Sequence, residues 1–413
     1  MKILKIFGMS RIVFTLTLAI AFFTATDLAA QTESPSRSPE QVIEENFLLA
    51  LEEIEQGTPR KAIPRLEAIL SENPHLLRVR LELARAYFLI QDDEKAQHHF
   101  SYVLGAEALP IGVQNSVNTF LNHIQARRKW SADFSFALLP QTNAGQASDV
   151  EVIRIFGLPF RVDARERSGV GVEVGAGLAW QPTLQGDWRG RVAVSARARH
   201  YENDEWNDDI LGSDLGVLRL FDGGSAGAGI RVQRRWFSGD KYLFRRALWG
   251  SLQQIFLRRN RFEVNVEIAD LNYDNNDNTD GWSLSLTPGV THGLSASTQI
   301  RFNSSLHLNF ARVDFESSHT VGIGSGITHA FAGGLVVSAD IGTQLQRRRG
   351  QHPLFREIRR DLHSFGRIRL LHREFSFAGF APYVEYRYED NNSNIEFFSY
   401  DNHIGNIGVT RRF

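Results

Sequence analysis

The spacing of apolar residues changes once along this chain, near Trp130. Between about Gln41 and Arg128, apolar positions recur with the period of an α-helix. After Trp130 they alternate with polar positions, as in strands that have one apolar face. The pattern therefore predicts an α+β multidomain protein, in which a helical region at residues 41–129 precedes a β-region at residues 130–413.

The helical region repeats its pattern after 34 residues. Small residues stand where two helices would cross, which together with this period is typical of tetratricopeptide (TPR) repeats. We expect two repeats, with Pro64 interrupting a helix of the first, and a final helix near residues 113–128. Such a stack offers peptides a concave surface; a simple spacer or lid is the alternative. The predicted packing positions are Ala50, Ala62, Pro74, Ala84, Tyr87, Ala96 and Phe100.

The length of its segments predicts that the β-region is a transmembrane barrel. Alternation alone would also fit a soluble sandwich. Many segments, however, run for 11 to 16 residues, whereas soluble strands have about five or six and a tilted strand crosses a bilayer with about 9 to 11. We therefore expect a 14-stranded antiparallel transmembrane β-barrel. Its strands would begin near residues 131, 169, 187, 208, 224, 241, 260, 281, 295, 317, 333, 361, 374 and 401.

The connections between these segments alternate in length. Short turns lie near residues 221 and 292, whereas residues 143–168, 273–281 and 347–360 are long and mostly polar. Short periplasmic turns and longer outer loops are the rule for outer-membrane barrels. An even number of strands returns both barrel ends to the periplasm. The expected location is therefore the cell outer membrane, with the N-terminal domain in the periplasm.

Both ends of the chain carry expected export and assembly signals. Residues 1–30 have a basic start, an apolar core and a small-residue exit, which predicts a cleaved signal peptide; a membrane-anchoring helix is the alternative. Residues 31–40 form a polar linker. At the other end, an apolar face that closes with an aromatic residue predicts a barrel-assembly signal. It consists of Ile407, Val409 and Phe413, with Arg411 reaching towards headgroups.

Composition and motifs restrict the chemistry. The 46 basic and 47 acidic residues nearly cancel, so net charge does not support a nucleic-acid partner. The chain has no cysteine, which removes disulfides, thiolate metal sites and a lipidated N-terminal cysteine. The sequence contains no HExxH motif and no P-loop. We therefore expect no enzyme, no catalytic residue, no cofactor and no metal site.

Several short motifs make the chain similar to a known family. In chain order they are Leu158-Pro159-Phe160, Ser168-Gly169, Arg234-Arg235-Trp236-Phe237 with Tyr242, Arg360-Asp361, and Asn392-Ser393-Asn394-Ile395 before Arg412-Phe413. This series resembles the surface lipoprotein assembly modulators (Slam), which join a TPR domain to a fourteen-stranded outer-membrane barrel. The resemblance implies movement of surface lipoproteins or secreted proteins across the outer membrane.

Charged residues on the polar face of the strands are expected to line the lumen, because a charge on the lipid face costs about 2 to 4 kcal/mol. Two interpretations stand: a salt-bridged interior that stiffens the wall, and a basic passage that selects what enters. The Asp- and Asn-rich segments 203–209 and 274–281 are expected to be solvated loops, with cation binding as the alternative. The expected lumen-lining residues are Arg191, Arg197, Arg199, Arg231, Arg235, Glu263, Glu267, Arg301, Arg367 and Arg369.

The expected function is that of an outer-membrane translocation and assembly factor, which delivers a surface lipoprotein or secreted protein across that membrane. Two alternatives remain from the same architecture: an exopolysaccharide export porin and a passive solute porin. The expected partners are a cargo lipoprotein or secreted protein, a periplasmic chaperone, the barrel-assembly machinery and outer-membrane lipid, with no nucleic acid.

Overall fold

The computed structural model describes most of the chain. It covers residues 38–104, 109–127, 129–148, 150–161, 168–256, 259–295, 297–331, 334–373, 375 and 380–412. The expected signal peptide at residues 1–30 lies outside the described residues, as do Phe413 and all but the last three residues of the expected linker.

Among the described residues, five helices precede the strands. They are α1 (Pro39–Glu55), α2 (Pro59–Glu72), α3 (Leu77–Leu89), α4 (Asp93–Leu104) and α5 (Ile111–Arg127). Helix α2 begins at a proline, which needs no hydrogen-bond acceptor in the first turn. The expected interruption at Pro64 was wrong, because α2 continues through that residue. None of the described helices combines the length and the apolar character needed to cross a membrane.

The helical region has a dry core built from small and large apolar side chains. The helix α3 packs against α2 and α4, and α4 packs against α5. Phe100 stacks on Phe120 with ring centroids 5.0 Å apart. Ala50, Ala62, Ala84, Tyr87, Ala96 and Phe100 are buried, so the small side chains lie at close helix contacts. Pro74 is half-buried, and its carbonyl accepts a 2.8 Å hydrogen bond from Arg80 Nη2.

In the part of the chain that the structure describes, sixteen strands follow. They are β1 (Trp130–Gln141), β2 (Val152–Ile155), β3 (Leu158–Arg161), β4 (Gly169–Trp180), β5 (Trp188–Tyr201), β6 (Asp208–Phe221), β7 (Gly224–Phe237), β8 (Asp240–Phe256), β9 (Asn260–Tyr273), β10 (Gly281–Gly293), β11 (Thr298–Ala311), β12 (Ser318–Ala330), β13 (Leu335–Gln351), β14 (Ile358–His372), β15 (Ala381–Ser393) and β16 (Tyr400–Arg412). All except β2 and β3 form one closed antiparallel barrel, in which β1 pairs with β4 and β16. The fourteen-stranded barrel is thus confirmed.

Two differences from the expected strands appear. The penultimate strand begins at Ala381 rather than near residue 374. The segment 143–168 is more than a polar loop, because β2 and β3 form a hairpin within it. Its turn residues Phe156 and Gly157 have φ angles of 53° and 82°, the left-handed values of a type I′ turn.

The strand register separates two faces of the wall. Leu248 pairs with Ile268 on one face, and both are more than half exposed. The other face carries Arg231 and Glu267, whose contact spans the intervening strand β8. Charged pairs from many strands gather on the face of Arg231, whereas the face of Leu248 is mostly apolar and exposed. Since a transmembrane barrel turns its apolar face to lipid, we place the charged face inside and the apolar face outside.

Candidate functional site

Ion pairs begin on the inner face at β4 to β7. Asp208 Oδ1 lies 2.6 Å from Arg235 Nε, and its Oδ2 lies 3.5 Å from Arg197 Nη2. On the adjacent strands, Arg199 Nη2 donates to Glu173 Oε2 across 2.7 Å. Asp208 is buried and the three arginines are partly exposed. Each of these cations therefore has a fixed counter-charge.

Glu267 on β9 joins two arginines from the two preceding strands. Arg231 Nη1 donates to Glu267 Oε2 across 2.7 Å, and its Nε donates to Asp214 Oδ1 across 2.6 Å. Arg245 donates to the other oxygen of Glu267 and, across 3.0 Å, to Gln233 Oε1. Charge-assisted hydrogen bonds of this kind join the four strands β6 to β9 on the lumen side.

Asp340 on β13 organises a second cluster on the opposite part of the wall. Its Oδ1 accepts from Arg301 Nη2 across 2.6 Å, and its Oδ2 accepts from Arg367 Nη2 across 2.8 Å. Glu385 lies farther away, 3.8 Å from Arg367 and 3.9 Å from Arg369. Within the described part of the chain, Asp340 is the only carboxylate within 4.0 Å of Arg301. The charge of Arg301 is therefore compensated by this one acid.

A glycine on β12 leaves the space in which Arg301 and Asp340 make contact. Arg301 lies on β11 and Asp340 on β13, so their contact crosses β12. The residue between them is Gly326, which pairs with both. A Cβ at this position would collide with Asp340 Oδ1. A side chain larger than hydrogen would therefore push the carboxylate away from Arg301.

A cavity of about 340 Å³ adjoins this cluster. Arg301, Asp340, Arg367 and Arg387 contribute to its lining, together with Glu263. Glu263 forms no ion pair with any residue that the structure describes, so its carboxylate is available to a solute or a passing chain. The cavity therefore offers charged groups of both signs.

The expected lumen-lining residues therefore fall into two groups. Arg191 and Glu263 share the inner face by register but form no ion pair with a described residue. The others are brought together in the clusters above: Arg197, Arg199, Arg231, Arg235, Glu267, Arg301, Arg367 and Arg369.

Sequence reasoning missed most of the acidic partners. It named only two carboxylates, whereas the clusters also use five others. The alternation within each strand would have placed these acids on the arginine face. The missing residues are Glu173, Asp208, Asp214, Asp340 and Glu385.

The helical region holds a separate polar cluster around Tyr87. The Tyr87 hydroxyl donates to the Glu67 carboxylate, and burial together with that acceptor raises the pKa of Tyr87. The ring of His99 stacks on Tyr87 with centroids 5.7 Å apart. Burial, with repulsion from neighbouring cations such as Arg80 and Lys95, lowers the pKa of His99 to about 3. Both rings are therefore neutral at neutral pH.

The last strand presents its alternate residues on the outer face. Ile407 pairs with Leu138 and Val409 pairs with Phe136. Arg411 follows on the same face, where its guanidinium lies 5.5 Å from the Phe380 ring centroid. The cation rests against an aromatic ring at the end of the strand, where an aromatic girdle would lie.

The Asp- and Asn-rich loops use several of their oxygens to hold their own backbone. Asn203 Oδ1 accepts from the Glu205 amide across 3.1 Å, and Asn276 Oδ1 accepts from the Asn278 amide across 3.2 Å. Asp280 Oδ1 accepts from the Tyr273 amide across 2.6 Å. These contacts cap short turns, which is an ordinary structural role for such residues.

The relatives of this chain include proteins of Acinetobacter baumannii and Neisseria meningitidis. The chain is 22% identical over 394 residues to the hemophilin secretion modulator of Acinetobacter baumannii, covering 87% of this chain and 76% of that protein. It is 25% identical over 189 residues to surface lipoprotein assembly modifier 1 of Neisseria meningitidis serogroup B, covering 46% of this chain and 38% of that protein. These relatives are named for assembly and secretion rather than for a catalysed reaction.

A solved structure similar to this chain is the outer membrane channel DcaP of Acinetobacter baumannii. The match has a TM-score of 0.41 and 11% identity, and covers 69% of this chain and 96% of that one.

Two family models match the chain. A tetratricopeptide repeat model matches residues 53–105. The model described as surface lipoprotein assembly modifier matches residues 130–413, which is the whole barrel. The closed barrel and this match place the protein in the outer membrane. The chain therefore belongs to the surface lipoprotein assembly modifier family.

Proposed function

We propose that this protein delivers a surface lipoprotein or secreted protein across the outer membrane. The observation that carries the proposal is a closed fourteen-stranded barrel of this family with a charged inner face. The names of the relatives support the same role. Transport of this kind needs no bond to be made or broken, so we assign no catalytic residue and no cofactor.

The proposed domains follow the chain. Residues 1–30 are a cleaved signal peptide, residues 31–40 a linker, residues 41–129 a periplasmic TPR-like domain and residues 130–413 the barrel. The connection after β6, residues 222–223, is short, whereas that after β13, residues 352–357, is longer. Short turns lie on the periplasmic side in outer-membrane barrels. The chain enters β1 at that end, so the helical region belongs there.

The paired charges support a passage for a polypeptide more than a filter for anions. An anion filter needs cations that are free to attract the solute. Here Arg231, Arg235 and Arg301 are each neutralised by a carboxylate. A lumen with alternating fixed charges can exchange hydrogen bonds with a polar chain of either sign. The proposed lumen lining is the set that carries these pairs, together with Arg191 and Glu263.

The helical domain is proposed to receive the cargo, or a periplasmic chaperone that carries it. Two stacked helical pairs and a closing helix give a surface that can bind an extended peptide. Ile407, Val409 and Phe413 are proposed as the signal to the barrel-assembly machinery.

Deletion of the protein tests the transport role. In a deletion strain, proteomics of the cell surface and periplasm should find one specific protein trapped in the periplasm, and the full-length chain should restore it to the surface. The matched control is the chain without residues 41–129, which should assemble a barrel but restore less cargo. Loss of small-solute uptake alone would instead indicate a porin, and loss of surface polysaccharide an export porin; either result overturns the proposal.

A further inference from the structure

The outer wall of the barrel is recessed at β10 to β14. The recess has a volume of about 740 Å³, within the range of roughly 300 to 1,000 Å³ in which proteins bind small molecules. Its outward side chains include Phe262, Val290, Phe302, Ile323 and Ile341. We call this recess, together with the short residues at its floor, the wall groove. Its surface is overwhelmingly apolar, and it opens on the side of the wall that faces hydrocarbon.

The inner face of the same strands explains the recess. Three alternate residues of β12, at positions 322, 324 and 326, are glycines on the lumen side, and Gly289 and Gly342 lie on that side of β10 and β13. With no side chains of their own there, side chains from neighbouring strands close over β12. A Cβ on Gly322 would collide with Ser305 and Gln344. The wall can therefore lie closer to the barrel axis here than where large side chains fill the lumen.

The floor of the wall groove carries hydroxyl groups. Ser304, Ser325, Thr343 and Ser364 lie on the outward face by register. Thr343 Oγ1 and Ser364 Oγ lie 3.1 Å apart. Among the described residues, neither the Ser304 nor the Ser325 hydroxyl has a side-chain hydrogen-bond partner. Since unsatisfied hydroxyls are costly in hydrocarbon, a ligand that brings an acceptor, such as an ester carbonyl, would satisfy them.

The backbone ladder is interrupted beside the wall groove. Pairs between β10 and β11 are present at Leu286 and at Gly289 but absent at the two residues between them. One of these is Pro288, which has no N–H to donate to β11. Pro288 also lines both the lumen cavity and the wall groove. A single layer of backbone therefore separates the charged lumen from the apolar recess.

We propose that the wall groove binds an acyl chain of lipid-modified cargo while the attached polypeptide lies in the lumen, and that the linkage between them passes between β10 and β11, where their pairing is interrupted. The groove is continuous with the lipid-facing wall, so its occupant is hydrocarbon. The lumen cavity on the other side of the same residues favours a lipid that is joined to a peptide over an ordinary phospholipid. This inference rests on the proposed function, because it needs a cargo that bears an acyl anchor.

Photolabelling of the full-length protein in lipid nanodiscs tests the site. The probe is a synthetic peptide with an N-terminal tripalmitoyl-cysteine, in which one acyl chain carries a diazirine. The comparison probe is phosphatidylglycerol with the same diazirine chain. Mass spectrometry then locates the labelled strands. We expect the lipopeptide to label β11 to β13 more strongly than phosphatidylglycerol does at equal mole fraction.

Two substitutions on one strand make the test specific. Ser325→Trp fills the wall groove, and we expect it to reduce lipopeptide labelling there about tenfold, the equivalent of losing two buried methylene groups. Val321→Trp is the matched control, because Val321 lies on the same strand and outer face but does not line the groove. It should leave labelling unchanged.

The outcomes separate this site from the transport role. Equal labelling by both probes would mean that ordinary lipid covers the recess, and labelling elsewhere on the wall would also overturn the inference. If the groove prefers the lipopeptide but deletion traps no protein in the periplasm, the transport role fails while the acyl site stands. If deletion traps cargo in the periplasm but the groove shows no preference for the lipopeptide, the acyl site fails while the transport role stands.

Discussion

The helical region has an apolar interior and a polar exterior, whereas the barrel has a polar interior and an apolar exterior. In the helical region, Leu66, Leu83 and Phe100 are fully buried, and the charged side chains lie outside. In the barrel, Leu248 and Ile268 point outwards and are 63% and 51% exposed, while charged side chains converge inside. Apolar and charged side chains therefore exchange their positions, inside or outside, between the two regions.

This contrast shows what stabilises each part. Apolar burial against other side chains holds the helices together. The barrel has a closed backbone ladder instead, and its interior is reinforced by carboxylates shared between arginines. Truncating an apolar residue should therefore be most damaging in the helices, and removing a charge most damaging in the barrel lumen.

The largest expected effect comes from Phe100→Ala in the helical region. Losing a fully buried phenylalanine should cost about 3 to 5 kcal/mol, which is at least a hundredfold in local opening. Hydrogen–deuterium exchange of the full-length chain should accelerate in α3 to α5 and remain unchanged in the strands. The control is Leu89→Ala, since Leu89 is already 48% exposed. Equal acceleration of exchange in both variants would contradict the view that apolar burial stabilises the helical region.

The next effect is expected for Asp340→Asn in the lumen. Arg301 would lose its carboxylate partner, and the barrel should lose about 2 kcal/mol, less than the 3 to 5 kcal/mol of a fully buried pair because Arg301 is half-exposed. Urea unfolding of the barrel measures the change. Glu263→Gln is the matched control, because Glu263 faces the same cavity without an ion pair to a described residue. A lower urea midpoint for Glu263→Gln would contradict the conclusion that Glu263 has no ion pair that stabilises the barrel.

A smaller effect is expected for Gly326→Ala. The new methyl group would displace the Asp340 carboxylate, at a cost of about 1 to 2 kcal/mol. Gly366→Ala is the control in the adjacent part of the wall, because a Cβ there meets nothing within 4 Å. The same urea measurement should separate the two variants. If both are neutral, the lumen face of β12 is not closely packed.

The smallest expected effect is a pH dependence of the helical region. Burial lowers the pKa of His99 to about 3, whereas the unfolded chain has a histidine pKa of about 6.5. Between these values the unfolded state binds more protons, so stability falls as the pH is lowered below about 6.5. The loss at pH 5 should be about 1 kcal/mol after allowance for partial exposure.

Exchange rates in α3 and α4, corrected for the intrinsic effect of pH, measure this loss. His99→Gln should remove most of the pH dependence, whereas His75→Gln should retain it, because His75 is exposed. Retention of the full pH dependence in His99→Gln would show that another group is responsible.

Much of the fold could be predicted because each strand meets two different media. Apolar residues on one face and polar residues on the other produce a period of two, which was sufficient to count the barrel strands. The β2–β3 hairpin was missed, since its strands have only four residues and both faces are largely exposed. Alternation is a weak signal where neither face packs against a core.

The candidate site could be predicted only in outline. Alternation was sufficient to place Arg231 and Arg301 on the polar face. It could not identify Asp214 or Asp340 as their partners, because alternation within one strand does not set the register between strands, and that register decides which side chains meet. The recess in the wall was likewise not predicted, although the alternate glycines of β12 are visible in the sequence.

The sequence by itself determined the two regions, the number of strands in the barrel and the face on which each charge lies. Those properties follow from local periodicity. Only the tertiary structure decided which charges share a carboxylate, where β10 and β11 lose their pairing, and where the wall is recessed. These depend on side chains from strands that are not neighbours in sequence, and closure of the barrel is what brings them together.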